Sequence, residues 1–191
     1  MSKQKYLMSM VSGEFGSGKT LFLTHIAKET YKSYKHVYAN YHLFNIDNFI
    51  FLKRINENII KNLEQDSLLL INEAYHYFDK RFCMKKENTK TANALMQIRK
   101  YHIDMFFDIF DFDYLDLRVR SFTNSYIRAE GEVEKDIFLY RIYKHDKDTF
   151  EFYKTKNVLL IDMKKTYKYY DTFEIVEKYP TLSKWQQKIT I

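Results

Sequence analysis

Eight residues near the start of the chain, Gly13-Glu14-Phe15-Gly16-Ser17-Gly18-Lys19-Thr20, satisfy the pattern G-x-x-x-x-G-K-[ST] in full. Such a loop lets the backbone curl until successive N–H groups point inward at a phosphate. A helix opening near Lys19 adds the positive end of its dipole. A lysine at position 19 reaches the β- and γ-phosphates, and the Thr20 hydroxyl is a magnesium ligand. The candidate nucleotide-binding residues are therefore Gly13, Glu14, Phe15, Gly16, Ser17, Gly18, Lys19, Thr20 and the adjoining Leu21. The chain has four glycines, and three of them fall between positions 13 and 18, so this is not a generic turn.

A second candidate site lies in Leu68-Leu69-Leu70-Ile71-Asn72-Glu73, an apolar run closed by two polar residues. A buried strand ending in two acids is how a phosphate-loop protein orders a magnesium-bound water and polarises the attacking water. Here Glu73 supplies the second of these groups. Asn72 keeps a carbonyl oxygen as acceptor but lacks the charge. Bonds to a charged acceptor are roughly twice as strong as neutral ones, so metal retention is weakened rather than abolished. Thr20 and Asn72 are the candidate metal ligands, and Lys19 and Glu73 the candidate catalytic residues.

These residues need elements to position them. Residues 5–12 read as a strand, 20–34 as a helix by apolar spacing, and 36–41 as a second strand. Residues 45–65 carry a mostly helical pattern. Residues 67–72 and 103–110 have the continuous apolar character of buried parallel strands, with a helix predicted over 91–102 between them. Residues 125–131, 137–146 and 149–155 show β-type alternation, followed by a polar tail from Lys154. Alternating strands and helices predict an α/β fold with a mostly parallel central sheet flanked by helices and an antiparallel edge.

The bulk properties set limits. At 191 residues the chain is expected to be a single domain over 1–191, with residues from about 154 to 191 as a C-terminal extension. Net charge of +6 permits contact with a polyanion. Cys83 is alone, which excludes a disulfide framework and fits a reducing compartment. The N-terminus lacks a secretory apolar core, and no run approaches 18 apolar residues, so a soluble cytoplasmic protein is expected. The six histidines show no ligand spacing, and Asp108, Asp111, Asp113 and Asp116 do not follow a cation-loop spacing.

Five segments together carry a resemblance: GEFGSGKT, VYANYHLF, LLLINEAYHYFDKR, QIRKYHIDMFFDIFDFDYLDLRVR and YKYYDTFEIVE. They resemble the Zot-like ATPases of the FtsK-HerA superfamily, found in filamentous-phage assembly and viral genome packaging. The resemblance implies a RecA-like P-loop core binding ATP and Mg2+ and working as a homo-oligomeric, hexameric ring that moves double-stranded DNA. A capsid or portal protein is a further implied partner, and the host cytoplasm the implied location if the chain is viral. Phe110 falls where the family usually has a sensor Gln, with Asp108 the nearest polar residue. Arg118, Arg120 and Arg99 are candidates for an arginine reaching a neighbour's γ-phosphate. Phage-extrusion members often carry a membrane span after the ATPase part; a chain ending at Ile191 without one points to a packaging or translocating motor. The alternative is a catalytically weakened nucleotide-binding assembly subunit, since Asn72 and Phe110 both depart from the pattern. A small-molecule kinase would need a lid with clustered arginines, which the sequence does not show.

Overall fold

The computed structural model describes residues 6–78, 86–144, 157–172 and 174. Cys83, the strand expected at 149–155 and the ends of two of the resembling segments (79–81 and 175–177) lie outside them. Eight strands form one sheet: β1 (Met8–Ser12), β2 (Val37–Ala39), β3 (Phe49–Phe51), β4 (Ser67–Ile71), β5 (Ile103–Ile109), β6 (Ser125–Glu134), β7 (Ile137–Lys144) and β8 (Asn157–Asp162). Their spatial order is β3-β2-β4-β5-β1-β6-β7-β8. Every pairing from β3 to β6 is parallel, while β7 and β8 continue the sheet antiparallel. The mostly parallel α/β sheet with an antiparallel edge is thus present.

Strand alternation sends apolar side chains to both faces, and each face is covered. Leu69 and Ile71 of β4, with Met105, Phe107 and Ile109 of β5, pack beneath α2 (Glu57–Lys61), α3 (Tyr75–Phe78), α4 (Lys86–Met96) and α5 (Leu117–Phe122) through Ile60, Tyr77, Leu95 and Val119. Leu68 and Leu70 of β4, Phe106 of β5 and Val11 of β1 face the other way. They meet Leu21, Phe22, Leu23 and Ala27 of α1 (Lys19–Thr30). Each such side chain contributes about 1.5–3 kcal/mol relative to exposure. All five residues of β4 are buried, as its unbroken apolar run predicts.

Two expectations change. Residues 45–65 are not mainly helical. Phe49–Phe51 forms an edge strand parallel to β2, and only the five residues of α2 are helical, capped by the Asn56 side chain accepting from the Ile59 N–H at 3.0 Å. Leu52, Ile55, Ile59 and Leu63 recur at helical spacing, yet of these only Ile59 lies in a helix. Pairing with β2 then outweighs local pattern. The stretch after Lys154 is also not simply a polar tail. β8 pairs with β7 from Asn157 to Asp162, and Tyr170 bridges back to Leu43. No helix among the described residues is long and apolar enough to cross a membrane.

Candidate functional site

The phosphate-loop motif spans the end of β1 to the start of α1, as its spacing predicts. The Gly13 N–H donates to the Phe110 carbonyl at 3.4 Å and the Ser17 N–H to the Glu14 carbonyl at 3.2 Å. Gly18 precedes α1 in the left-handed region, φ 89°. A Cβ there would lie 2.5 Å from the Tyr140 hydroxyl and 2.7 Å from the Phe138 ring, so only glycine fits. The Tyr140 hydroxyl donates to the Gly18 carbonyl at 2.8 Å, and the Phe22 N–H donates to the same oxygen at 2.9 Å. Strand β7 therefore braces the loop from beneath.

Lys19 turns its ammonium onto its own loop, donating to the Gly13 carbonyl at 2.9 Å and the Glu14 carbonyl at 2.8 Å. Its nitrogen lies 5.7 Å from the Phe15 ring centroid and 6.0 Å from that of Phe110, and the two rings are 5.1 Å apart. Burial lowers the Lys19 pKa; the negative charges of Asp108 and Glu73 oppose that shift.

The ends of β2, β4 and β5 supply the opposite wall. The Thr20 hydroxyl donates to the Asn72 side-chain oxygen at 3.0 Å, joining the loop to the end of β4. Strand β5 lies between β1 and β4, so this contact reaches across it. Asn40, just beyond β2, clasps the Asn72 backbone. Its Nδ2 donates to the Asn72 carbonyl at 2.8 Å, and its Oδ1 accepts from the Asn72 N–H at 2.7 Å. Glu73 has φ 55° and donates its N–H to the Asp108 carboxylate; the Asp108 carbonyl accepts from the Ala74 N–H at 2.9 Å. The Glu73 carboxylate accepts from the Tyr75 hydroxyl at 3.3 Å and has His76 Nε2 at 3.3 Å.

Asp108 is 2% exposed. Burial drives its pKa up to about 7, against the pull of the Glu73 N–H and the Lys19 charge. The other aspartates of its acidic run hold the chain. Asp111 caps the turn at Phe112–Tyr114, and Asp116 caps α5 by accepting from the Arg118 N–H at 2.9 Å. No cluster of three or more His, Cys, Asp and Glu side chains suited to a metal occurs among the described residues.

The three candidate arginines fall in different places. Arg118 forks onto Asp116 at 3.0 and 2.6 Å. Arg120 donates to the Phe112 carbonyl at 2.8 Å, with its guanidinium 4.0 Å from the Phe112 ring centroid, and so secures the turn after β5. Arg99 is exposed in the turn Ile98–Tyr101 before β5, at the far end of that strand from the loop. None of the three is brought to the loop of its own chain. Asn40, Phe138 and Tyr140 were not singled out from the sequence. Asn40 had a signal: like Asn72, it is polar at the end of an apolar strand. Phe138 and Tyr140 look like ordinary strand residues and had none.

A cavity of about 650 Å3 opens over the loop, lined by Gly16, Lys19, Thr20, Asn72, Glu73 and Asp108 among others. No family model matches the sequence, and no curated protein matches it. The structure is similar to the N-terminal domain of zonular occludens toxin from Neisseria meningitidis, with TM-score 0.58 and 16% identity over 88% of this chain and 100% of that one. It is also similar to B204, the DNA-packaging ATPase from Sulfolobus turreted icosahedral virus, with TM-score 0.53 and 14% identity over 78% of this chain and 96% of that one. The genome packaging NTPase B204 from Sulfolobus turreted icosahedral virus 2, in complex with ATP-gammaS, matches with TM-score 0.51 and 14% identity over 81% and 98%. The fold is that of a P-loop NTPase. At these identities the likeness is one of architecture, and the resemblance carried by the sequence segments holds at that level. The P-loop fold spans nearly the whole of each of these structures, with Gly13–Thr20 of this chain at its usual strand-to-helix turn.

Proposed function

We propose that the protein binds ATP with Mg2+ in the cavity over the phosphate loop and hydrolyses it to drive double-stranded DNA, as a viral genome-packaging motor. The observation that carries this reading is the Thr20–Asn72 contact, which joins the phosphate loop to the strand end bearing Glu73. The donor set fits magnesium. The hydroxyl and amide oxygens stand 3.0 Å apart, the spacing of adjacent ligands around an ion with oxygens at about 2.1 Å. With no all-protein cage at hand, the substrate phosphates and water would complete the shell. Bound there, the ion would neutralise charge on the phosphates.

The chain's own residues do the rest. The Gly16–Lys19 backbone and α1 hold the β-phosphate, and Lys19 leaves its loop carbonyls for the phosphate oxygens. Glu73 orients the attacking water, and Asp108 fixes the backbone that presents Glu73. The motor works as a homo-oligomeric ring, a hexamer, in the cytoplasm, with Arg99, Arg118 or Arg120 of one subunit reaching the next subunit's γ-phosphate. A capsid or portal protein is its further partner, and residues 1–191 are one ATPase domain with a C-terminal extension from about 154. The packaging ATPases of similar fold support this reading. A second reading is supported by Asn72 and Phe110: a subunit that binds ATP for assembly and turns it over little.

ATP turnover with and without double-stranded DNA tests the proposal, using wild type, Lys19→Ala and Glu73→Gln. DNA-stimulated hydrolysis lost in both variants is expected. Tight ATP binding without turnover, with assembly lost in Lys19→Ala, would instead establish the second reading.

A further inference from the structure

The cavity extends past the phosphate loop onto the opposite flank of β1, where no residue had been given a part in binding. There it is lined by Phe138 of β7, Met163, Tyr170 and Thr172, beside Gly18 and Leu21. The charged lining residues are Lys19, Glu73 and Asp108. All three belong to the loop or to the β4 and β5 side. In the sheet, β4 and β5 lie on one side of β1, and β6, β7 and β8 on the other. A ligand whose middle phosphate sits on the loop, and whose terminal phosphate meets Asn72 and Glu73, must send its other end toward β7 and β8.

We infer that this arm, formed by Phe138, Met163, Tyr170 and Thr172, seats the base of the nucleotide and takes adenine and guanine alike. The inference rests on the nucleotide reading above and assigns the half of the site which that reading leaves open. Phe138 is pressed against Gly18, and Tyr170 is 8% exposed, so both walls are firm. Aromatic faces and a thioether suit a flat purine, whose π-face is larger than a pyrimidine's. Discrimination between purines needs buried groups matched to their edges. The arm offers two hydroxyls, those of Tyr170 and Thr172, and no charged lining residue among those described. The antiparallel addition to the sheet therefore has a binding role as well as a bracing one.

Photolabelling of the full chain with 8-azido-ATP, followed by peptide mapping, tests this directly. Label in peptides covering 136–144 or 163–172 is expected; label on Phe15, Phe110 or Tyr114 instead would overturn it. In parallel, binding of ATP, GTP and inorganic tripolyphosphate is measured on wild type, Met163→Ala and Thr172→Trp. Thr172 is exposed, so its substitution keeps a folded test available if Met163→Ala does not fold. ATP and GTP should bind within roughly ten-fold of each other, and both variants should weaken them by roughly five-fold while tripolyphosphate is unchanged. Equal affinity for ATP and tripolyphosphate, with no effect of the variants, overturns the base site while leaving the phosphate site intact. Failure of both ligands on wild type overturns the nucleotide reading itself, and the base site with it.

Discussion

Thr20 donates its hydroxyl to the side-chain oxygen of Asn72 at 3.0 Å, across the intervening strand β5. An aspartate at 72 would accept the same bond with a full charge behind it. Asn72→Asp is therefore expected to raise ATP turnover by roughly ten-fold and to lower the magnesium concentration needed for half-maximal rate. Steady-state assays across a magnesium titration check this. An unchanged rate and magnesium requirement would remove Asn72 from the metal site.

Asp108 makes stability depend on pH in a defined window. Its carboxyl ionises near the ordinary 3.8 when unfolded and near about 7 when folded. Between those values the folded state binds more protons, so stability falls as pH rises from about 4 to about 7 and levels off above. Asp108→Asn keeps an acceptor for the Glu73 N–H and removes the buried charge. Thermal melts from pH 4 to 8 should show a flatter profile for the variant and a higher melting temperature at pH 8.

Asn40 satisfies both backbone groups of Asn72 in a buried setting. Asn40→Ala leaves that N–H and carbonyl without partners, at a cost of roughly 2–3 kcal/mol in urea denaturation. Asn40→Asp does not restore the loss, because a carboxylate cannot donate to the Asn72 carbonyl. Equal stability of wild type and Asn40→Ala would show that water replaces the clasp.

Gly18→Ala places a methyl group against the Tyr140 hydroxyl and the Phe138 ring at a φ of 89°. ATP binding should be lost, with destabilisation of about 1–3 kcal/mol. Combining it with Tyr140→Phe should not rescue binding, since the Phe138 contact remains. Calorimetric titration of ATP into both variants reads this out.

Legibility followed the range of the interactions. The strand-to-helix turn at Gly13–Thr20 could be read because its glycines, lysine and threonine lie within eight consecutive residues. The place of Asn72 and Glu73 at a strand end could be read because an apolar run marks β4 as buried. Residues 45–65 read as mostly helical because Leu52, Ile55, Ile59 and Leu63 recur at helical spacing, while the deciding contact is the pairing of Phe49–Phe51 with β2. Arg118 and Arg120 stand out in sequence as candidates for reaching a neighbour, and within their own chain Asp116 and the Phe112 carbonyl hold them. Phe138 and Tyr140 reach Gly18 from about 120 residues away, and no local pattern announces such a contact.

The brace from Tyr140 to Gly18 also orders events during synthesis. The ribosome releases the complete phosphate-loop motif long before the residues that seat it. A nascent chain stopped short of Tyr140 would carry Gly13–Thr20 intact but without the ring and hydroxyl that hold Gly18 in place. Competence to take up a nucleotide would thus be withheld until the later part of the sheet has been made.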